Sequence, residues 1–207
     1  MVKVKICGLT NLADYKLACQ LGADYAGFIF YKNSLRFLEP ELARKLIRQT
    51  KYSVTKVGVF VNEEVSIIRE VYDYVGLDIV QLQGDEGPDF CRHLGLPYWK
   101  AIRAKDSSAL EDMKKFPADV FLLDSFSRVA YGGTGKQLSR LLLREALKTG
   151  KKIVVAGGLS ALNIGKIMEM EPFGVDVCSS LEDSPGKKNP AKMMNFFKEV
   201  DKWRGQK

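Results

Sequence analysis

The residue types that most often carry enzyme chemistry are scarce in this chain. There is one histidine, His93, and there are four cysteines, at positions 7, 19, 91 and 178, none in a C-x-x-C pair. A zinc site with two or three histidine ligands cannot be built from one imidazole, and a four-cysteine ribbon lacks its spacing. A Ser-His or Cys-His machine would have to use His93, which lies in CRHLGL, the pattern of a surface helix. Chemistry must therefore come mainly from Asp, Glu, Lys, Arg or Cys.

Two such side chains stand out by position. Cys7 closes the run VKVKIC, and Asp124 closes the apolar run Val120 to Leu123. In an extended segment Lys5 and Cys7 face one way and Val4 and Ile6 the other. Burying Lys5 is costly without a partner, so a polar layer is expected beneath Cys7. The plainer readings are a merely buried cysteine and a helix-capping aspartate. Three Gly- and Ser-rich segments accompany them: Tyr131 to Gly135 with Gly133, Ala156-Gly157-Gly158-Leu159-Ser160, and Cys178-Ser179-Ser180. Each reads as an ordinary turn or as backbone able to cradle a phosphate.

The elements that must position these residues follow from periodicity. Eight β-branched or aromatic runs occupy 2–7, 24–31, 55–61, 78–83, 97–103, 119–124, 152–157 and 174–180, with amphipathic stretches between them. After the first run, Ala13, Leu17 and Leu21 recur every four positions, and Gly22 is placed to end that helix. After the third, Asn62 reads as an N-cap with Glu63 and Glu64 in the first turn and Ile67, Ile68, Val71 and Val75 as the buried stripe. At the end, Asn189 and Pro190 start a helix with Met193, Phe197 and Val200 inward.

Eight β-α units at about 26 residues each predict a single-domain (β/α)8 TIM barrel over residues 1–207. The runner-up is a doubly wound sheet, which would more typically stop at five or six strands and carry G-x-G-x-x-G after the first; none is present there. In a barrel the C-terminal strand ends carry the chemistry, and the ends of strands 7 and 8 commonly hold a phosphate. The loop of roughly a dozen residues containing Gly133 and Gly135 is long enough to be functional.

Composition bounds the partners. The chain is 46% hydrophobic and 28% charged, an ordinary globular balance, with 32 Lys and Arg against 25 Asp and Glu. The resulting charge of +7 favours anionic ligands, but the basic residues are dispersed as solubility alone would have them. A nucleic-acid partner is therefore not expected. No apolar run reaches the roughly 20 residues that span a bilayer, and MVKVKICGLT lacks a signal-peptide pattern. With scattered cysteines, a reducing, cytoplasmic setting is expected.

Taken together, VKICGLTN, ADYAGFIF, SLRFLEP, VGVFVNE, LDIVQLQGDE, LLDS followed by GGTGK, AGGLS and GVDVCSSLEDSPGKKN resemble the phosphoribosylanthranilate isomerase family over the full length. That family performs an Amadori rearrangement in tryptophan biosynthesis. The resemblance implies Cys7 as general base and Asp124 as general acid, with no metal and no cofactor. It implies Arg36 on the anthranilate carboxylate, Gly157, Gly158, Ser179 and Ser180 on the phosphate, and Gly133 and Gly135 in a loop covering the substrate. The implied partner is a small phosphorylated substrate, with the chain a monomer or a homodimer. A related barrel isomerase of the histidine pathway would use aspartate as both acid and base, so Cys7 argues against it.

Three departures from the family pattern stand out. Gln83 replaces the usual histidine, which limits that position to hydrogen bonding. Gln137-Leu138-Ser139-Arg140 replaces the usual T-F-D-W. Cys178-Ser179-Ser180 replaces S-S-G, putting a side chain near the phosphate.

Overall fold

The eight β-rich runs form eight parallel strands that close on themselves in sequence order, the first strand pairing with the second and the eighth. A computed structural model describes residues 1–125 and 140–204. The segment carrying Gly133, Gly135 and Gln137 to Ser139 lies outside the described residues.

The order is β1 (Lys3–Ile6), α1 (Leu12–Gln20), β2 (Tyr25–Ile29), α2 (Pro40–Arg48), β3 (Thr55–Phe60), α3 (Val65–Val75), β4 (Ile79–Leu82) and α4 (Pro88–Leu94). It continues with β5 (Tyr98–Ala104), α5 (Ser108–Lys115), β6 (Val120–Ser125), α6 (Arg140–Leu147), β7 (Lys152–Val155), α7 (Ile164–Met168) and β8 (Gly174–Val177). A 3-10 turn at Ser179–Leu181 leads into a small antiparallel hairpin of β9 (Glu182–Ser184) and β10 (Lys187–Lys188), and α8 (Pro190–Arg204) closes the chain. This is a TIM barrel, and the doubly wound alternative is excluded by ring closure.

Strand parity divides the core in two. Ile6, Phe28, Leu82, Phe121, Leu123 and Val177 face outward into the layer between barrel and helices. Each fully buried phenylalanine there contributes about 2–3 kcal/mol. The other parity points inward. Val57, Trp99, Ala101, Leu122 and Val154 form the apolar interior, with Tyr25 edge-on to Trp99 at 4.8 Å. Two residues further along several strands the inward positions become polar, and those positions make the site.

Some helix details differ from the sequence expectation. In α1 the buried residues are Asp14, Tyr15 and Ala18, while Ala13 is exposed. Asp14 is drawn inward because its carboxylate accepts the backbone N–H of Lys188, a contact local periodicity does not encode. Asn62 does not cap α3, which begins at Val65 after Glu64. Its backbone turns to a positive φ of 51°, its N–H donates to Glu86 and its amide oxygen accepts from the N–H of Asp85. Ile67 consequently points outward, 41% exposed, while Ile68 and Val75 are buried. Asn189 does cap α8, accepting from Lys192 N at 2.8 Å, and Met193, Phe197 and Val200 are buried as expected. No helix among the described residues is long and apolar enough to cross a membrane.

Candidate active site

The inward parity of β1 and β8 places Lys5 beside Asp176, paired in register at 3.0 Å, and lifts Cys7 and Cys178 one layer higher. Lys5 is wholly buried, as the polar layer required. Space for it comes from Gly27 on β2, where a Cβ would sit 3.0 Å from Lys5 Nζ. Burial acts to discharge Lys5, but Asp176 and Cys7 more than offset it and raise its pKa, so it remains an ammonium. The Cys7 thiol is lowered to about 7, first by a hydrogen bond from Cys178 and then, against desolvation, by Lys5. Cys178 is correspondingly pushed well up. The β1 end thus holds a thiol that ionises near neutrality.

Across the mouth, Asp124 lies near the end of β6, buried at 4% exposure. Gln83, beyond β4, donates through Nε2 to Asp124 Oδ2 at 3.3 Å and accepts from Gln81 Nε2 at 2.6 Å. Gln83 therefore orients the carboxyl. The loop after Gln83 is anchored by a buried ion pair, Lys100 Nζ to Glu86 Oε2 at 2.7 Å, with Lys100 also donating to Gly84 O. Glu86 in turn accepts the N–H groups of Asn62 and Gly84. These hydrogen bonds offset part of the cost of carrying both charges inside.

Arg36 follows β2 and reaches the same mouth. Its Nε and Nη2 hold Glu182 in a fork, with contacts of 2.7–3.0 Å. Glu182 also takes Lys188 Nζ at 2.8 Å. Burial opposes its ionisation, yet Arg36 and Lys188 win and lower its pKa. Two cations against one carboxylate leave a net positive edge. Gly8 makes the approach feasible: its φ is 70°, and a Cβ there would meet Arg36 Cδ at 2.7 Å.

Gly157 and Gly158 follow β7 with φ of 90° and 62°, and Ser179 and Ser180 lie in the 3-10 turn after β8. The Ser180 hydroxyl donates to the carbonyl of Leu159, tying the two strand ends together. The side chain that replaces a family glycine is thus committed to the backbone.

All of these residues line one cavity of about 640 Å³: Cys7, Arg36, Gln83, Asp124, Gly157 and Gly158, Ser179 and Ser180. Residues 4–199 match the model of the N-(5'phosphoribosyl)anthranilate (PRA) isomerase family. The chain belongs to that family.

The isomerase of Pelobacter propionicus is 44% identical over 199 residues, covering 96% of this chain and 95% of its own. The crystal structure of the Thermotoga maritima isomerase superposes with a TM-score of 0.89 at 36% identity, over 98% of this chain and 100% of that one. Monomers have also been generated from that dimeric enzyme. A further solved isomerase, 35% identical with a TM-score of 0.83, covers 98% of this chain and 100% of its own. It holds reduced 1-(o-carboxyphenylamino)-1-deoxyribulose 5-phosphate. With the family comes the enzyme class, an isomerase of tryptophan biosynthesis.

Gly133 and Gly135 cannot be compared with the described site. Glu182, Lys188, Asp176 and Gln81 were not singled out by sequence reasoning. The signal for Glu182 and Lys188 lay in LEDSPGKKN, but only the hairpin of β9 and β10 turns those charges toward Arg36. Among the described residues no cluster of three or more His, Cys, Asp or Glu side chains is arranged to hold a metal.

Proposed function

We propose that the chain converts N-(5'-phosphoribosyl)anthranilate to 1-(2-carboxyphenylamino)-1-deoxyribulose 5-phosphate, with Cys7 as general base and Asp124 as general acid. The observation that carries this reading is the placement of a near-neutral thiol and an amide-oriented carboxyl on opposite walls of one cavity. Asp124 enters protonated, as a general acid must. It gives its proton to the furanose oxygen as the C1–O bond breaks, leaving an iminium on the anthranilate nitrogen. The Cys7 thiolate then removes the proton from sugar carbon 2, giving an enolamine. Tautomerisation adds a proton at carbon 1 and removes one from the carbon 2 hydroxyl. Cys7, now protonated, and Asp124, now ionised, supply and accept these two protons and return to their starting states.

Binding follows charge and shape. Arg36 presents its remaining guanidinium edge to the anthranilate carboxylate, with Glu182 fixing the plane of the fork. Gly157, Gly158, Ser179 and Ser180 offer backbone N–H groups to the phosphate, and Gly133 and Gly135 belong to the loop that covers the ligand. We read residues 1–207 as one domain, acting in the cytoplasm as a monomer or homodimer on a small phosphorylated molecule. The test is loss of the fluorescent anthranilate adduct on addition of purified chain. Product formation without added metal or cofactor supports the reading. Binding of the reduced product analogue without turnover contradicts it.

A further inference from the structure

Cys178 is a thiol at the mouth that the isomerisation leaves unused, and it sits directly beside the base. Ile6 and Val177 are paired in register, and Cys7 N donates to Val177 O at 2.9 Å, so Cys7 and Cys178 are the next residues along neighbouring strands. Adjacent strands lie about 4.8 Å apart, inside the Cα separation of about 4.4–6.8 Å that a disulfide spans. Lys5 and Asp176, two residues earlier on the same parity, already meet across this gap. Cys178 Sγ lies 3.0 Å from the Cβ position of a side chain at Gly8, close against the β1 end. Both thiols line the cavity, so a small oxidant has access to them.

The thiols also have chemistry to match. Each thiol has its own cation: the Lys5 ammonium favours the Cys7 thiolate, and Lys188 Nζ lies 3.7 Å from Cys178 Sγ. A thiolate next to a cation is the form that attacks hydroperoxides, and a neighbouring thiol resolves the product. Cys19 and Cys91 do not line the cavity, and burial raises both, Cys19 to about 11.

We propose that Cys7 and Cys178 form a reversible disulfide in the active-site mouth, an oxidation site that switches the isomerase off. The Cys7 thiolate attacks a hydroperoxide oxygen; the O–O bond breaks, and a sulfenic acid forms as water or an alcohol leaves. Cys178 then attacks that sulfur, the S–S bond forms and water departs. Two electrons pass from the sulfurs to the peroxide oxygens, and a dithiol reverses the bond. The bond itself depends only on the thiol geometry. The loss of activity rests on Cys7 being the base.

The experiment treats the purified chain with hydrogen peroxide, traps free thiols by alkylation, and reads intact mass, linked peptides and turnover. The expected result is a mass lower by two hydrogens and a peptide containing Cys7 joined to one containing Cys178. Turnover falls in step with the linked fraction and returns with dithiothreitol. In Cys178→Ser the link is absent, Cys7 gains oxygens instead, and dithiothreitol restores a smaller share of that variant's own starting activity. Oxygen addition without a linked peptide in the native chain, or linkage through Cys19 or Cys91, overturns the proposal. A complete Cys7–Cys178 link with turnover intact sustains the disulfide and overturns Cys7 as the base.

Discussion

Lys5 Nζ and Asp176 Oδ1 meet at 3.0 Å inside the barrel, with 0% and 9% of their side chains exposed. This pair supports the layer on which Cys7 stands, and its ammonium lies close enough to favour the thiolate. Removing one partner strands the other charge in the interior.

Lys5→Met is expected to cost about 3–5 kcal/mol of stability in urea unfolding, and Lys5→Met with Asp176→Leu to recover much of it. The sign of the activity effect follows from the thiol. Losing the cation raises the Cys7 pKa, so the acidic limb of kcat/KM moves from near 7 to higher pH. An unshifted limb would mean that Lys5 has no electrostatic role.

Gln83 donates to Asp124 while Gln81 holds Gln83 from behind. Gln83→Leu leaves the binding groups in place but removes the amide that orients the carboxyl. Steady-state kinetics should show kcat reduced about 10- to 100-fold with KM little changed. Gln83→His, with a ring N–H able to donate, should retain most of the rate. Equal losses in the two variants would assign Gln83 to packing alone.

Glu182 anchors Arg36 and Lys188 through a carboxyl held below its ordinary range. A depressed carboxyl stabilises the fold above its unfolded pKa, and this stabilisation is lost as pH falls through the folded value. Glu182→Gln should therefore lower stability at neutral pH and flatten its decline on acidification, followed by thermal unfolding across pH 2–6. Its KM should rise more than its kcat falls, because Arg36 loses the partner that sets its plane.

The barrel was readable because period-2 apolar runs and turn residues alternate eight times, and ring closure then excludes the doubly wound sheet that alternation alone leaves open. Lys5 was readable as a paired interior charge because parity placed it inside. The partners were not. Asp176 and Glu182 meet Lys5 and Arg36 from strands far apart in sequence, Lys188 meets Glu182 around the hairpin, Gln81 meets Gln83 two residues on, and a polar side chain in a sequence does not show which way it faces. Asn62 misled for the same reason: Glu86 and Asp85, from the next unit, capture a residue that local chemistry assigns to a helix cap. Cys178 was visible only as a departure from S-S-G. Its placement beside Cys7 depends on the β1–β8 register that closes the barrel.

The most direct measurement is kcat for Cys7→Ala and Asp124→Ala, each first shown to be folded and to bind the reduced product analogue. With one acid and one base carrying the reaction, kcat should fall by about 10²–10⁴ in either variant while analogue binding persists. Turnover near the native rate in either folded variant would contradict the assignment of acid and base.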